Sequence, residues 1–274
     1  MKRSGDSGRN NGASGNQRRK SRDWKRERNS KQKQDTGNGK QRRKLGTGKE
    51  KEIGQKNQGD KRMTENIKVY GQNSSRIMDG DKVIYVDPFQ VKEELHDADY
   101  IMITHDHYDH FSIEDIEKVI GYKCTLVVPE RMKKKARDAE KMAIKMVTVT
   151  PGESIDLDGL KVETVPAYNI LKPFHPKSAG WVGYIITANG KRVYVAGDTD
   201  ATKEAKAVKC DVALVPIGGT YTMDAKKAAE LINEIRPEVV IPVHYGGLVG
   251  DVMDGGTFKA CVDPGIQVEF KIQF

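Results

Sequence analysis

Cysteine is scarce in this sequence, and so are long apolar runs. Three cysteines occur among 274 residues, Cys124, Cys210 and Cys261, far apart, odd in number and without CxxC spacing. That pattern argues against a disulfide framework and against cysteine-held zinc, and fits a reducing compartment where the thiols serve packing. No stretch approaches the ~20 apolar residues of a membrane-spanning helix, and no apolar segment follows the basic start as it does in a secretory signal. The expectation is a cytoplasmic protein that does not enter a membrane.

Apolar residues are nearly missing from one segment. Residues 1–62 contain Met1, Ala13, Trp24, Leu45 and Ile53 and no others, too few to offset the entropy of ordering the backbone. The same segment holds 21 Lys/Arg against 7 Asp/Glu, whereas the other 212 residues hold 26 against 32. The formal net charge of +8 therefore belongs to the N-terminal part, and the remainder is mildly acidic. The sequence predicts a disordered basic low-complexity tail over 1–62 and one globular domain over 63–274. Such a tail binds nucleic acid or an anionic surface by counterion release, or is simply a solvated extension. "RMTENIKVYG" around Met63 reads as a natural start, so translation beginning there is a second expectation.

The domain opens with short apolar stretches separated by turn residues. "NIKVYG", "KVIYVDPF", "DYIMITH" and "TLVVPE" read as strands, the third nearly continuous and hence buried on both faces. "SIEDIEKVI" has a helical pattern with Ser112 as N-cap and acidic residues in its first turn. "RMKKKARDAEKMAIK" reads as a charged surface helix. A run of strands follows from "KMVTVTPG" to "RVYVAGD", with the Asn-Gly of "TANGKR" as a hairpin turn. Strand "DVALVPIGG", helix "DAKKAAELINEI" stopped by Pro237, strand "VVIPVH" and a last helix and strand complete the chain. Interspersed strands and helices predict a layered α/β or α+β sandwich.

What is abundant is histidine at one place. "ITHDHYDHFS" packs His105, His107 and His110 with Asp106 and Asp109 into six consecutive positions, using half of the six histidines in the chain. His105 and His107 share a side at period-2 spacing, and Asp109 and His110 follow as the chain turns into the next helix. Neutral imidazole and carboxylate suit Zn, Mn, Fe or Ni. Two partners sit at later strand ends, Asp198 in "RVYVAGDTD" and His244 in "VVIPVHYGG". Ligands of α/β proteins collect at such ends.

"THDHYDH", "GDTD" and "PVHYG", in this order, with "VIYVDP" before them, resemble the signature motifs of the metallo-β-lactamase superfamily, over about residues 66–274. The overall look is closest to its ascorbate-6-phosphate-lactonase-like branch of hydrolases. The resemblance implies a four-layer αββα sandwich with one or two divalent ions, Zn or Mn foremost, at one edge. It implies His105 and His107 on a first metal, Asp109, His110 and His244 on a second, and Asp198 bridging. One departure matters: the third first-site histidine expected in "VPAYNILKPFHPK" falls at Asn169. His175, six residues on and stiffened by Pro173 and Pro176, is the alternative ligand, or else a lid residue or substrate contact.

The implied activity is a metal-dependent hydrolase that uses a metal-bound hydroxide on a small ester, lactone or phosphodiester. Ions about 3.5–4 Å apart would share that hydroxide. Asp109 would orient the water besides ligating, and Tyr168, Tyr221 and Tyr245 would offer hydrogen bonds to an oxyanion. Lys172 and Lys177 would hold an anionic substrate group. Two other readings are open. One is a nuclease, with nucleic acid held through the basic tail only. The other is a non-catalytic metal-binding protein with a site weakened at Asn169.

Overall fold

The computed structural model describes residues 64–272 and residue 274. The expected disordered tail and the alternative start at Met63 lie outside the described residues. Within them, the apolar stretches form two sheets. Strands β1 (Ile67–Val69), β2 (Ser75–Asp79), β3 (Lys82–Val86), β4 (Ala98–Met102), β5 (Ile120–Pro129) and β6 (Lys145–Val149) lie side by side in chain order. The first three are antiparallel and the rest run parallel. The second sheet comprises β7 (Ser154–Leu157), β8 (Leu160–Pro166), β9 (Val182–Ala188), β10 (Lys191–Val195), β11 (Val212–Pro216), β12 (Val239–Val243) and β13 (Gln267–Val268). There β7 to β10 are antiparallel and β10 to β13 parallel.

Period-2 alternation sorts the side chains into layers. Val86, Met102 and Val127 of the first sheet join Tyr184, Val195, Leu214 and Ile241 of the second in one core between the sheets. On the outer face of the first sheet, Tyr85, Ile101 and Leu126 pack with Ile116 and Val119 of α1 (Ile113–Val119). Tyr194, Ala213 and Val240 on the other outer face pack with α3 (Lys203–Lys206), α4 (Ala225–Ile235) and α5 (Asp254–Cys261) through Ala205, Ala229, Ile232 and Phe258. Every residue of β11 and β12 is buried because both of their faces are covered. The result is the expected αββα sandwich.

Local signals behave as their chemistry requires. Ser112 Oγ accepts from Asp115 N–H at 3.2 Å and caps α1. Asn189 and Gly190 both have positive φ, 51° and 75°, as a two-residue hairpin turn of the right twist demands. Arg236 caps the C-terminus of α4 in the left-handed region at φ 50°, and Pro237 follows it. The stretch expected to form one charged helix does not. It gives a 3-10 turn at Glu130–Met132 and a single turn, α2 (Arg137–Glu140). Arg131, Lys133, Lys134, Lys135 and Arg137 put five cations in seven positions, and like charges three and four apart oppose a continuous helix.

Candidate metal centre

The strands β3, β4, β10 and β12 all end at one edge of the sandwich, and each end carries a polar residue. Asp87 follows β3, the histidine-rich loop follows β4, Asp198 follows β10 and His244 follows β12. The backbone turns sharply at three of these points. Asp87 and His244 adopt φ of 47° and 57°, a region costly for non-glycine residues that recurs at functional sites. Gly197, ahead of Asp198, has φ 64°, and a Cβ there would press on Thr104 at 3.1 Å.

Two donor sets result. His105, His107, His175 and Asp198 offer ligand atoms all within 4.8 Å of one another, as do Asp109, His110 and His244. In the first set His105 Nε2 and His107 Nδ1 are 3.1 Å apart, and His175 Nε2 is 3.3 Å from Asp198 Oδ2. In the second, His244 Nε2 lies 3.2 Å from His110 Nε2 and 3.3 Å from Asp109 Oδ2. Asp198 stands between them. Its Oδ2 faces the first set, while Oδ1 is 3.4 Å from both His110 Nε2 and His244 Nε2.

The donor set fits a cation. His175 Nε2 and Asp198 Oδ1 are buried with no hydrogen-bond partner, a costly state for polar atoms unless something charged satisfies them. All-nitrogen-and-oxygen donors of this kind suit a divalent ion of the zinc or manganese type. The electrostatics agree. Burial, helped by the neighbouring His110, pushes His105 well below its ordinary pKa, and burial beside His175 and His110 lowers His107, so both keep a lone pair to give. For Asp198, burial acts upward but is outweighed by His244 and His110, which hold the carboxyl well below the usual range. Asp109 is lowered against burial by the hydrogen bond to His244 and the charge of His110. His110 goes the other way. Burial opposes its charge, yet Asp198 and Asp87 raise it to about 9. A proton on His110 thus balances the carboxylates, and a metal ion would displace it.

Behind the donors lies a second row that fixes their tautomers. Asp87 is fully buried and accepts from Asn73 Nδ2 at 2.8 Å, Thr104 N–H at 2.7 Å and Thr104 Oγ at 2.6 Å. His110 Nδ1 sits 2.8 Å from the same carboxylate, which makes it the donor and turns Nε2 to the site. Thr104 Oγ, already donating to Asp87, accepts from His105 Nδ1 at 3.0 Å. The Trp181 ring packs 5.0 Å from His105 and His107 and 5.4 Å from His175. In the sequence Asp87 stands in "VIYVDP" and Thr104 in "THDHYDH", without a role assigned to either. A buried aspartate directly after an apolar strand was the available signal. Asn73 and Trp181 carry none.

The other candidates separate. Asn169 Oδ1 is taken by His175 Nδ1 at 3.0 Å, and Asn169 Nδ2 donates to the Tyr221 carbonyl at 3.0 Å, so Asn169 orients His175, and it is His175 that meets Asp198. Tyr221 lines the cleft over the donors. Tyr168 does not reach it, because its hydroxyl donates to Glu204 at 2.8 Å. Tyr245 is also turned away. The left-handed backbone at His244, φ 57°, breaks the alternation of β12, and Tyr245 enters the outer layer, where it packs edge-on to Phe274 at 5.5 Å. Lys172 and Lys177, expected to hold an anion, are engaged by Asp200 at 2.9 Å and Glu204 at 2.7 Å.

The cleft has a volume of about 580 Å³, with His107, Asp109, Asp198 and His244 at its floor. A larger hollow of about 830 Å³ beside β1, lined by Arg76, Glu93 and Asp97, contains no such donor set. Among the described residues no helix is long and apolar enough to cross a membrane.

Comparison with known proteins points the same way. The beta-lactamase superfamily domain profile matches residues 66–244. A UPF0173 metal-dependent hydrolase of Thermoplasma acidophilum is 32% identical over 198 residues, covering 66% of this chain and 84% of the relative. A crystal structure of a Parabacteroides distasonis protein superposes with a TM-score of 0.64 at 30% identity, covering 76% of this chain and 93% of that one. Igni18, a metallo hydrolase from Ignicoccus hospitalis, gives a TM-score of 0.59 at 25% identity, covering 74% and 93%.

Proposed function

Because the chain belongs to the metallo-β-lactamase superfamily, we propose that it is a metal-dependent hydrolase acting on a small ester, lactone or phosphodiester. The observation that carries this reading is Asp198, whose two oxygens face two separate donor sets at the floor of an accessible cleft. A divalent ion held there supplies Lewis acidity and lowers the pKa of water that binds it from 15.7 to about 7.

The chain's own groups do the rest. Thr104 and Asp87 hold His105 and His110 in the tautomers that present Nε2 to the floor. Asn169 does the same for His175. Asp109, kept ionised by His244 and His110, is a carboxylate at the cleft floor that accepts a hydrogen bond from the attacking water and aims it. Tyr221 lines the cleft wall, and its hydroxyl is the group we assign to donate to oxygen that gains charge as the carbonyl or phosphoryl centre is attacked. A nucleic-acid substrate would need a cationic track. Lys135, the single lysine among the described residues that line this cleft, is held 2.9 Å from Asp106 Oδ2.

The test is a panel of esters, lactones and bis-p-nitrophenyl phosphate offered to protein reconstituted with zinc or manganese. Turnover of at least one class that Asp198→Ala abolishes is the expected result. Absence of turnover across the whole panel would count against hydrolysis.

A further inference from the structure

The walls of the cleft are as informative as its floor. Four large side chains stand exposed around it: Tyr108 at 68%, Leu248 at 47%, Phe174 at 45% and Tyr221 at 40%. Apolar groups this large, gathered at one opening, mark a contact surface. They are also held in place. Phe174 and Tyr221 pack edge to face at 4.8 Å and 89°, and Phe89 packs edge-on to Tyr108 at 6.2 Å. The loop that carries Phe174 is stapled to the loop of Tyr221 by Asn169 on the Tyr221 carbonyl and by Lys172 on the Thr222 carbonyl. The wall is therefore built rather than incidental.

Charge narrows what such a wall receives. Asp106, Asp109 and Asp198 line the cleft, and Lys135 is the one lysine or arginine among the described lining residues. Its Nζ donates to the Asp106 carbonyl at 2.6 Å and to the Asp106 carboxylate at 2.9 Å. Lys172 and Lys177 nearby are bound to Asp200 and Glu204. A phosphate or carboxylate carried away from the reacting bond would meet no uncommitted ammonium among the described lining residues.

Resting on the hydrolase reading, we propose that the substrate is an uncharged ester or lactone whose apolar acyl group lies against Phe174, Tyr221, Tyr108 and Leu248. The volume of about 580 Å³ is within the range of about 300–1,000 Å³ that small-molecule sites occupy. In the reaction the acyl carbon–oxygen bond breaks and a bond from that carbon to the water oxygen forms. One proton of the water passes to the leaving alkoxide, giving a carboxylic acid and an alcohol from an ester, or a single hydroxy acid from a lactone.

The test uses the full chain loaded with zinc or manganese and p-nitrophenyl acetate, butyrate and octanoate. A buried methylene is worth roughly fourfold in binding. On that scale kcat/KM for octanoate should exceed that for acetate by at least about tenfold, with part of the chain in solvent. In Phe174→Ala, and separately in Leu248→Lys, which lies away from the His175 loop, that ratio should fall to within about threefold, while Phe174→Leu retains it. Metal content, measured in each variant, separates loss of the wall from loss of the ion. A ratio near one in the wild type, or one unmoved by both wall variants, would overturn the proposal. Failure of hydrolysis itself reads differently. If no ester turns over, calorimetry with octanamide against acetamide still reports the wall. At least tenfold tighter octanamide binding supports the apolar subsite, and equal binding removes it.

Discussion

Asn169 Oδ1 and His175 Nδ1 are 3.0 Å apart, and the Asn169 N–H donates to the His175 carbonyl at 2.7 Å. The two residues clasp the ends of a loop that contains Pro173 and is followed by Pro176, and the clasp turns His175 Nε2 onto Asp198. An amide thus stands behind the donor set at the position expected for an imidazole. The imidazole arrives from six residues further on, and the amide sets its tautomer. Asn169→Ala should weaken metal binding about 10- to 100-fold, the usual cost of losing a partner behind a ligand. Titration of the metal-free protein with zinc by calorimetry measures it, and unchanged affinity would remove Asn169 from the site.

Asp87 should matter even without metal. It collects four hydrogen bonds from Asn73, Thr104 and His110 in a fully buried position. Asp87→Ala leaves those donors unpaired, and breaking a buried charged network costs about 3–5 kcal/mol. Urea unfolding of the metal-free protein should show a loss of that size. A change under about 1 kcal/mol would mean that the network relaxes around the gap.

Glu204 predicts an acid limit. Burial acts to raise its pKa, but the hydrogen bonds from Lys177 and Tyr168 prevail and bring it down to about 2. A carboxyl depressed in the folded state stabilises the fold above its unfolded pKa of about 4.3, and the contribution disappears as pH falls through the folded value. The wild type should therefore be more stable than Glu204→Gln at pH 7, and the gap should close between about pH 4.5 and 2. Melting curves of the pair across this range decide it, and a gap independent of pH would assign the effect to packing.

Thiol chemistry separates the three cysteines. Burial pushes both Cys124 and Cys210 up to about 12, which leaves almost no thiolate at neutral pH. Cys261 is exposed at the end of α5. Iodoacetamide at pH 8 should modify Cys261 in the folded protein and the other two only after denaturation, as peptide mass mapping will report. Rapid labelling of Cys124 would contradict the packing described for it.

Much of this was legible in the sequence because its signals are local. Strand β4 running into three closely spaced histidines, Ser112 capping α1, the Asn-Gly turn and the alanine stripe of α4 each follow from residues a few positions apart. Strand β2 was not anticipated, since "SRIMD" is too short and polar to alternate clearly. Nor did the sequence rank His175 above Asn169, since only the folded loop shows which atom faces Asp198. Tyr245 was misplaced for the same reason. Adjacency to His244 along the chain suggests a place beside the site, whereas the left-handed backbone at His244 turns Tyr245 into the outer layer. Thr104 and Trp181 act through contacts made across the sandwich, which no spacing rule reports.

The most direct test is the metal content, by mass spectrometry, of the full chain reconstituted with zinc or manganese, in wild type and in His175→Ala. Two donor sets sharing Asp198 predict two ions per chain, falling to one when His175 is removed. A wild type that binds no metal after reconstitution would contradict the account at its centre.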